Sequence, residues 1–266
     1  MATLVSFHAH PDDESIGTGG TLAKAAAAGH RTVLVFGTRG EHGEVDDGFL
    51  DAGETLADRR VVETHRSAEI LGVSRVEFLG YVDSGMMGTP ENDQPGSFWT
   101  ADVEEAAERL AEILRDEQAD VLTIYDDHGG YGHPDHIQVH RVGVRAGELA
   151  GVEHVFEGTM NRDALRRMME SAVTAGDMPS DELPDVSEMS SFGSPEEIIT
   201  TAIDVSEFLG TKRASMAAHA SQISETSFFL SMPEEAFVGS FGTEWFIRRG
   251  ASPGERGDDL FAGVDH

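Results

Sequence analysis

Two short segments of this sequence are crowded with side chains that bind metals or transfer protons. The first, FHAHPDDESIG at residues 7–17, holds five of them within seven positions: His8, His10, Asp12, Asp13 and Glu14. A junction between a strand and a helix ordinarily needs turn residues and one capping side chain, and Asp13 alone would suit such a cap. The density of the cluster instead predicts chemistry.

The second segment, YDDHGGYGHPDHIQVH at residues 125–140, offers four histidines: His128, His133, His136 and His140. His133 and His136 flank a Pro-Asp pair, as His10 and Asp13 do in the first segment. In the first segment the proline fixes one backbone dihedral and stiffens the turn, so His10 and Asp13 can point at one centre. Two histidines and one carboxylate would leave a fourth position open for water, as a catalytic zinc site requires.

Hydrolysis at such a site also needs a base. A bound ion lowers the pKa of water towards about 7, and a nearby carboxylate that does not bind the ion can then take the proton. Asp12 suits this role because it is adjacent to a candidate ligand.

The elements that must position both segments alternate along the chain. Strands are predicted over 3–9, 31–38, 75–81 and 119–126, and helices over 14–28, 54–73, 102–118 and from the HPDH motif to about Leu149. This alternation predicts an α/β fold with a Rossmann-like, mostly parallel sheet and helices on both faces. Because both crowded segments follow strands, they should meet at the carboxyl edge of the sheet.

The second half of the chain is less regular. It predicts a strand and a helix over 151–175, a flexible acidic loop rich in Pro and Ser over 176–196, and a strand and a helix over 199–222. We therefore expect one compact unit, with a Rossmann-like metal-site core over 1–150 and a smaller C-terminal α/β extension over 151–266 that completes the substrate pocket.

Composition excludes several classes of function. The chain has no cysteine, which excludes disulfides and thiolate chemistry and restricts a metal site to His and carboxylate ligands. Asp plus Glu number 49 against 19 Lys plus Arg, a formal net charge of −30 that would repel nucleic acid and anionic lipid. No apolar run reaches the roughly eighteen residues of a membrane span, and no signal sequence precedes the first strand. We expect a cytoplasmic protein without a nucleic-acid or membrane partner.

The acidic surface has two explanations. It could reflect an acidic, arginine-preferring proteome, since only two of the basic residues are lysines, Lys24 and Lys212. Our preferred hypothesis is adaptation to a halophilic, high-salt cytoplasm, where screening shortens repulsion to roughly 3 Å above 1 M salt.

Other motifs do not predict a site. GTGG at 17–20 lacks the spacing of a dinucleotide-binding fingerprint, and its glycines more simply allow close packing of a helix. Neither Ser15 nor Ser84 lies in a Gly-x-Ser-x-Gly elbow. The isolated histidines His65 and His219 are predicted to be surface or satisfied core residues.

Two motifs taken together resemble a known family. AHPDDE at 9–14 and GYGHPDH at 130–136 are similar to the LmbE/PIG-L superfamily of zinc-dependent N-acetylglucosaminyl deacetylases. Further segments are similar to its mycothiol-pathway branch, the N-acetylglucosaminyl-inositol deacetylase and the mycothiol-conjugate amidase: GEHGE at 40–44, RVVE at 60–63, DSGM at 83–86 and KRASMAAHASQ at 212–222. The resemblance is strong over about residues 4 to 145.

The resemblance implies a role for each matching position. The Zn²⁺ ligands would be His10, Asp13 and His136, with Fe²⁺ as an alternative metal, and Asp12 would be the general base. His133 would act as an acid or electrostatic stabiliser, and Tyr131 would help to polarise the substrate carbonyl.

Outside this catalytic set, the resemblance implies three substrate-binding residues: Arg60, Asp83 and Met86. Asp135 would orient a histidine, and Glu14 and Glu41 would be outer partners that orient the metal ligands. His8 is a further candidate for such a partner.

The resulting hypothesis is a zinc-dependent amide hydrolase in which water attacks the acetamide of a small molecule containing N-acetylglucosamine. One alternative is an amidase of larger thiol or sugar conjugates, and a second is a non-catalytic sugar-binding protein. The intact base and ligand set argue against the second. The aglycone and the oligomeric state, including a homo-oligomer, stay open.

Overall fold

One mixed sheet runs through the molecule, and a computed structural model describes residues 1–175, 192–252 and 254–264 of it. Within these ranges the sheet has seven strands in the order β3-β2-β1-β4-β5-β7-β6. Their bounds are β1 Thr3–His8, β2 Arg31–Phe36, β3 Arg75–Phe78, β4 Val121–Tyr125, β5 His154–Thr159, β6 Thr201–Asp204 and β7 Thr243–Arg248.

The first five strands are parallel, as predicted. β1 pairs with β2 on one side and with β4 on the other. The order in which strands are added along the sheet therefore reverses between β1 and β4. β7 runs antiparallel to both β5 and β6 and was not predicted. The strands of the predicted extension thus join the same sheet as β1 to β4, and the division at residue 150 stays a prediction.

Ten helices surround the sheet in the described part of the chain. They are α1 Asp13–Gly17, α2 Gly19–Ala27, α3 Leu56–Leu71, α4 Val103–Asp116, α5 Gly129–Gly132, α6 Pro134–Ala150, α7 Arg162–Ala175, α8 Leu209–Ala218, α9 Phe228–Ser231 and α10 Glu234–Phe241. None of the described helices combines the length and the apolar character that a membrane span requires. Most of the loop predicted over 176–196 lies outside the described residues.

The prediction of a single helix over 14–28 is wrong, because the helical conformation is interrupted at Thr18. Thr18 has φ −135° and ψ 6°, which ends α1 and starts α2 in a new direction. Its hydroxyl lies 3.0 Å from Nε2 of His8, so a contact with β1 competes with continuation of the helix. The close-packing role predicted for GTGG fits Gly20, where a Cβ would lie 2.5 Å from Cβ of Val205.

Both faces of the sheet are buried under helices. Val5 and Phe7 of β1 pack in a cluster with Leu110 of α4 and Val142 of α6. Leu4 points to the opposite face, into a cluster built from α2, α3 and the other sides of β1 and β2. This alternation follows from the two-residue period of a strand and confirms the predicted layers. The parallel pairing of β1 with β4 places the carboxyl ends of these two strands side by side.

Candidate metal centre

The loops that follow β1 and β4 bring the two crowded segments together. The imidazole rings of His10 and His133 lie 4.7 Å apart between centroids, and those of His10 and His136 lie 5.4 Å apart. All three histidines are buried. The adjacency predicted from the strand order therefore holds at the level of side chains.

Two pairs of donor atoms, both involving Asp13, have the spacing of ligands that share an ion. Oδ2 of Asp13 lies 3.4 Å from Nδ1 of His10 and 3.4 Å from Nε2 of His136. Tetrahedral ligands bound about 2.0–2.1 Å from zinc stand about 3.3–3.4 Å from one another. Nε2 of His136 is buried and has no hydrogen-bond partner among the described residues, which is a cost that a bound cation would remove. The residues present thus fit a divalent metal.

His10 is oriented by a carboxylate on its far side. Its Nε2 donates a hydrogen bond of 3.1 Å to Asp135, so the ring, when neutral as a metal ligand must be, has its lone pair on Nδ1, facing Asp13. Burial lowers the pKa of His10, but hydrogen bonds to Asp13, Asp135 and Asp83 outweigh burial and raise it well above its usual value. Three carboxylates around one imidazole create a site that favours positive charge.

His133 offers a geometric alternative to Asp13 as the third ligand, since ring nitrogens of His10, His133 and His136 lie within 4.8 Å of one another. However, Nδ1 of His133 accepts a hydrogen bond of 3.1 Å from the backbone N–H of Asp135. The proton of the neutral ring is then on Nε2, which can donate but cannot bind a metal. Burial and the charges of His10 and His136 lower the pKa of His133 to about 4, so the ring is a neutral donor at pH 7.

Asp12 occupies a strained backbone position. Its φ of 95° lies in the left-handed region, which costs a residue other than glycine about 1–3 kcal/mol. Burial raises the pKa of its carboxyl to about 6, against the opposing charge of Arg60, whose Nη2 lies 3.4 Å from Oδ1 of Asp12. A carboxyl with a pKa near neutrality is well matched to accept and return a proton.

Tyr125 contacts both His136 and His8, and its role in the site was not predicted. The ring of Tyr125 stacks on His136 with centroids 4.5 Å apart, and its hydroxyl lies 2.9 Å from Nδ1 of His8. Burial, the charge of Asp13 and a hydrogen bond to Asp13 raise the pKa of Tyr125 well above its usual value. One phenol therefore contacts two of the candidate ligands. Its position at the end of β4 was the only available signal in the sequence.

The three residues predicted to bind substrate differ in accessibility. Met86 is 50% exposed and Asp83 is buried, with Oδ1 3.5 Å from Nε2 of His10. Arg60 is only 3% exposed and donates hydrogen bonds to the carbonyls of Gly40 and Pro11. These contacts place Arg60 under the Asp12 loop, and its binding of substrate hydroxyls stays a prediction.

The two glutamates predicted as outer partners bond to backbone rather than to ligand side chains. Oε2 of Glu14 accepts a hydrogen bond from the N–H of Asp12 at 2.9 Å, and Glu41 accepts one from the N–H of Asp83 at 3.0 Å. Each carboxylate thus fixes a loop of the site. Tyr131 lies at the mouth, 43% exposed, with its ring centroid 5.0 Å from that of His136.

Comparison with known proteins identifies the family of this chain. The family described as PIG-L, GlcNAc-PI de-N-acetylase, matches residues 5–147, more than half of the chain. The chain belongs to the PIG-L family. The match runs from Val5 in β1 to Gly147 in α6 and so includes both loops of the candidate metal centre. The family membership predicted from AHPDDE and GYGHPDH is confirmed.

A relative of this PIG-L family member matches along the whole chain. The 1D-myo-inositol 2-acetamido-2-deoxy-α-D-glucopyranoside deacetylase of Acidothermus cellulolyticus is 43% identical over 280 residues, which cover 100% of this chain and 96% of that protein. Its name describes an N-acetylglucosaminyl-inositol deacetylase, the branch indicated by the weaker motifs. The similarity therefore extends beyond the family match into residues 151–266.

Two solved structures share the fold of this PIG-L chain at lower identity. The N,N'-diacetylchitobiose deacetylase of Pyrococcus horikoshii has a TM-score of 0.59 at 23% identity, covering 98% of this chain and 86% of that one. The 4-carboxy-2-hydroxymuconate hydratase of Pseudomonas putida has a TM-score of 0.56 at 18% identity, with coverage of 96% and 99%. Because a hydratase shares the fold, the reaction has to be argued from the residues of the site.

Proposed function

We propose that this PIG-L family member is a metal-dependent deacetylase that hydrolyses the acetamide of a small molecule containing N-acetylglucosamine. The observation that carries the proposal is that His10 and His136 both face the carboxylate of Asp13, with Asp12 adjacent in the chain. The name of the full-length relative makes an N-acetylglucosaminyl-inositol the first candidate substrate.

The candidate ligand atoms are Nδ1 of His10, Oδ2 of Asp13 and Nε2 of His136. Zn²⁺ or Fe²⁺ held there would act as a Lewis acid on the amide carbonyl and would lower the pKa of water. Asp135 keeps His10 in the tautomer that presents Nδ1. Tyr125 restrains the ring of His136 and the carboxylate of Asp13.

Asp12 is the proposed carrier of the proton. It accepts a proton from the attacking water as the new C–O bond forms, and the proton then passes to the departing nitrogen as the C–N bond breaks. The products are acetate and the free amino sugar. A pKa raised by burial keeps the carboxyl basic enough for the first transfer and acidic enough for the second.

His133 is the proposed donor to the oxyanion. Its neutral ring carries the proton on Nε2, because Nδ1 accepts from the backbone of Asp135. The low pKa of this histidine, caused first by burial, keeps it uncharged through the reaction. The hydroxyl of Tyr131 at the mouth is the proposed second contact with the carbonyl. Loss of one such donor typically costs about 10²–10³ in kcat.

Free-amine release from acetylated sugars tests the function. The zinc-loaded protein is assayed in high KCl with N-acetylglucosaminyl-inositol, N-acetylglucosamine and N,N'-diacetylchitobiose. We expect amine from the wild type and from Asp116→Ala, an exposed carboxylate of α4 that serves as the control, but none above background from Asp12→Ala. A wild type that holds one zinc per chain and releases no amine from any sugar would contradict the deacetylase and favour an amidase of larger conjugates.

A further inference from the structure

The strained loop of Asp12 is held by a buried carboxylate. The N–H of Asp12 donates to Oε2 of Glu14 at 2.9 Å, and its carbonyl accepts from the N–H groups of Ser15 and Ile16 at 3.0 and 3.1 Å. The side chain of Glu14 is fully buried. A left-handed conformation persists at a residue with a Cβ only when its surroundings enforce it, so the orientation of Glu14 sets the backbone of Asp12.

Glu14 is in turn held by a histidine more than 200 positions away in the sequence. Nε2 of His219 lies 2.6 Å from Oε1 of Glu14, and both side chains are 0% exposed. A carboxylate can only accept, so Nε2 of His219 carries the proton and donates it. The hydroxyls of Ser15 and Ser67 donate to the same Oε1 at 3.0 and 2.5 Å, which leaves Glu14 a single orientation.

His219 is itself held in place by its backbone and by its neighbours in the chain. It is the residue that ends α8, and its carbonyl accepts from the N–H groups of Gln222 and Ile223 at 2.9 and 2.8 Å. Two positions further on, Ser221 donates its N–H and its hydroxyl to Glu63 of α3, at 2.9 and 2.6 Å. The histidine is therefore fixed to α3 as well as to α8.

We infer that His219 is a positioning residue for the base: it orients Glu14, which fixes the backbone of Asp12 and so aims the Asp12 carboxylate at the metal centre. The inference rests on the proposed function, because it assumes Asp12 as the proton carrier. In the described ranges the ring of His219 hydrogen-bonds to Glu14, and its charge also interacts with those of Asp12 and Arg60. It connects the part of the chain outside the family match to the catalytic turn.

The test compares two substitutions at one position. His219→Leu removes the donor, whereas His219→Gln retains an amide N–H at a similar distance from the backbone. We expect His219→Leu to lower kcat for N-acetylglucosaminyl-inositol at least tenfold, with KM and zinc content unchanged, and His219→Gln to recover most of that loss. Met216→Ala, a buried residue of the same helix, controls for lost stability and should lower Tm while leaving kcat near the wild-type value.

A second readout does not depend on turnover. Exchange of the Asp12 amide proton, followed by NMR, should be at least tenfold faster in His219→Leu than in the wild type, His219→Gln or Met216→Ala. Unchanged exchange in His219→Leu, or equal acceleration in Met216→Ala, would overturn the inference. Absence of amine release by the wild type would instead contradict the proposed function, so the two failures are distinguishable.

Discussion

The three histidines of the site differ in which ring nitrogen their neighbours occupy and which they leave available. Nε2 of His10 donates to the carboxylate of Asp135, and Nδ1 of His133 accepts from the backbone N–H of the same residue, so one aspartate fixes both neutral rings in the Nε2–H tautomer through different ring nitrogens. Nε2 of His136 has no hydrogen-bond partner in the described ranges. These neighbours, which motif spacing does not specify, underlie the proposed roles of His10 and His136 as ligands and of His133 as a donor.

This difference predicts which substitutions release the metal. We expect His136→Ala and Asp13→Ala to lose most of the bound zinc, because each removes one of three ligands. His133→Ala should keep its zinc and lose about 10²–10³ in kcat, because it removes only a donor to the oxyanion. Metal content after dialysis, measured by atomic emission beside kcat, checks the prediction.

His128→Ala is the matched control for these variants, since this histidine belongs to the same loop and bonds to Asp127 and to the carbonyl of Gly193. It should retain both zinc and activity. If His133→Ala released the metal while Asp13→Ala retained it, the ligand set would be the three histidines, and the tautomer argued for His133 would be wrong.

The sequence predicts those site residues whose contacts are with near neighbours in the chain. His10 and Asp13 are three positions apart on one stiff turn, and His133 and His136 begin one helix, so their convergence followed from the strand order. Tyr125 and His219 act through partners 117 and 205 positions away, His8 and Glu14 respectively. The spacing of its neighbours does not mark His219 as part of the site, and it was predicted to be a surface or satisfied core residue.

At the scale of elements, one buried ion pair joins α2, α8 and β7. Glu244 of β7 accepts hydrogen bonds of 2.8 Å from the N–H groups of Gly20 and Thr21. These groups lie in the first turn of α2, where the helix itself offers them no acceptor. Lys212 of α8 donates to the same carboxylate at 2.5 Å, and both side chains are almost fully buried. The carboxylate of the pair therefore caps the amino end of α2, directly after the break at Thr18.

Removing one partner of the Lys212–Glu244 ion pair should lower the stability of the fold. Lys212→Met leaves the carboxylate of Glu244 buried without its cation, and we expect it to lower the free energy of unfolding by about 3–5 kcal/mol. The double variant Lys212→Met/Glu244→Gln should lose less than the sum of its single variants, because the uncompensated charge is gone. Urea unfolding monitored by circular dichroism measures all three.

The exposed pair of Arg145 and Glu104 between α6 and α4 provides the comparison. Arg145→Met should lower the free energy of unfolding by about 1 kcal/mol or less, since water screens an exposed pair. A loss of that size for Lys212→Met would mean that the buried pair does not organise the three elements.

The same contacts explain where prediction of the elements failed. Hydrophobic periodicity extends through Thr18, whose intrinsic helix propensity is only about 0.5 kcal/mol below that of alanine, so the local sequence does not specify a break. The break depends on His8 and Glu244, which come from β1 and β7. β7 has only a short apolar run, Trp245–Phe246–Ile247, and its antiparallel place beside β5 depends on pairing between distant segments.

At the scale of the whole molecule, the acidic charge is compensated only in part. Arg31 and Arg75 share Glu117, and Arg59 pairs with Asp51 and Glu54, so these cations are already paired with carboxylates. The formal net charge of −30 represents carboxylates in excess of every lysine and arginine. Their mutual repulsion opposes the compact state, and the length over which it acts falls from about 10 Å at 0.1 M salt to about 3 Å at 1 M.

The high-salt hypothesis therefore predicts that the unfolding midpoint rises with KCl up to about 2 M. Glu112 and Asp116 are exposed near the carboxyl end of α4, where negative charge also opposes the helix dipole. Glu112→Gln/Asp116→Asn should raise the free energy of unfolding by about 0.5–1 kcal/mol at 0.05 M KCl, and this gain should fade at 2 M. Urea midpoints at both salt concentrations measure the effect. A wild-type midpoint independent of KCl would reject salt adaptation and would leave proteome composition as the explanation of the acidic surface.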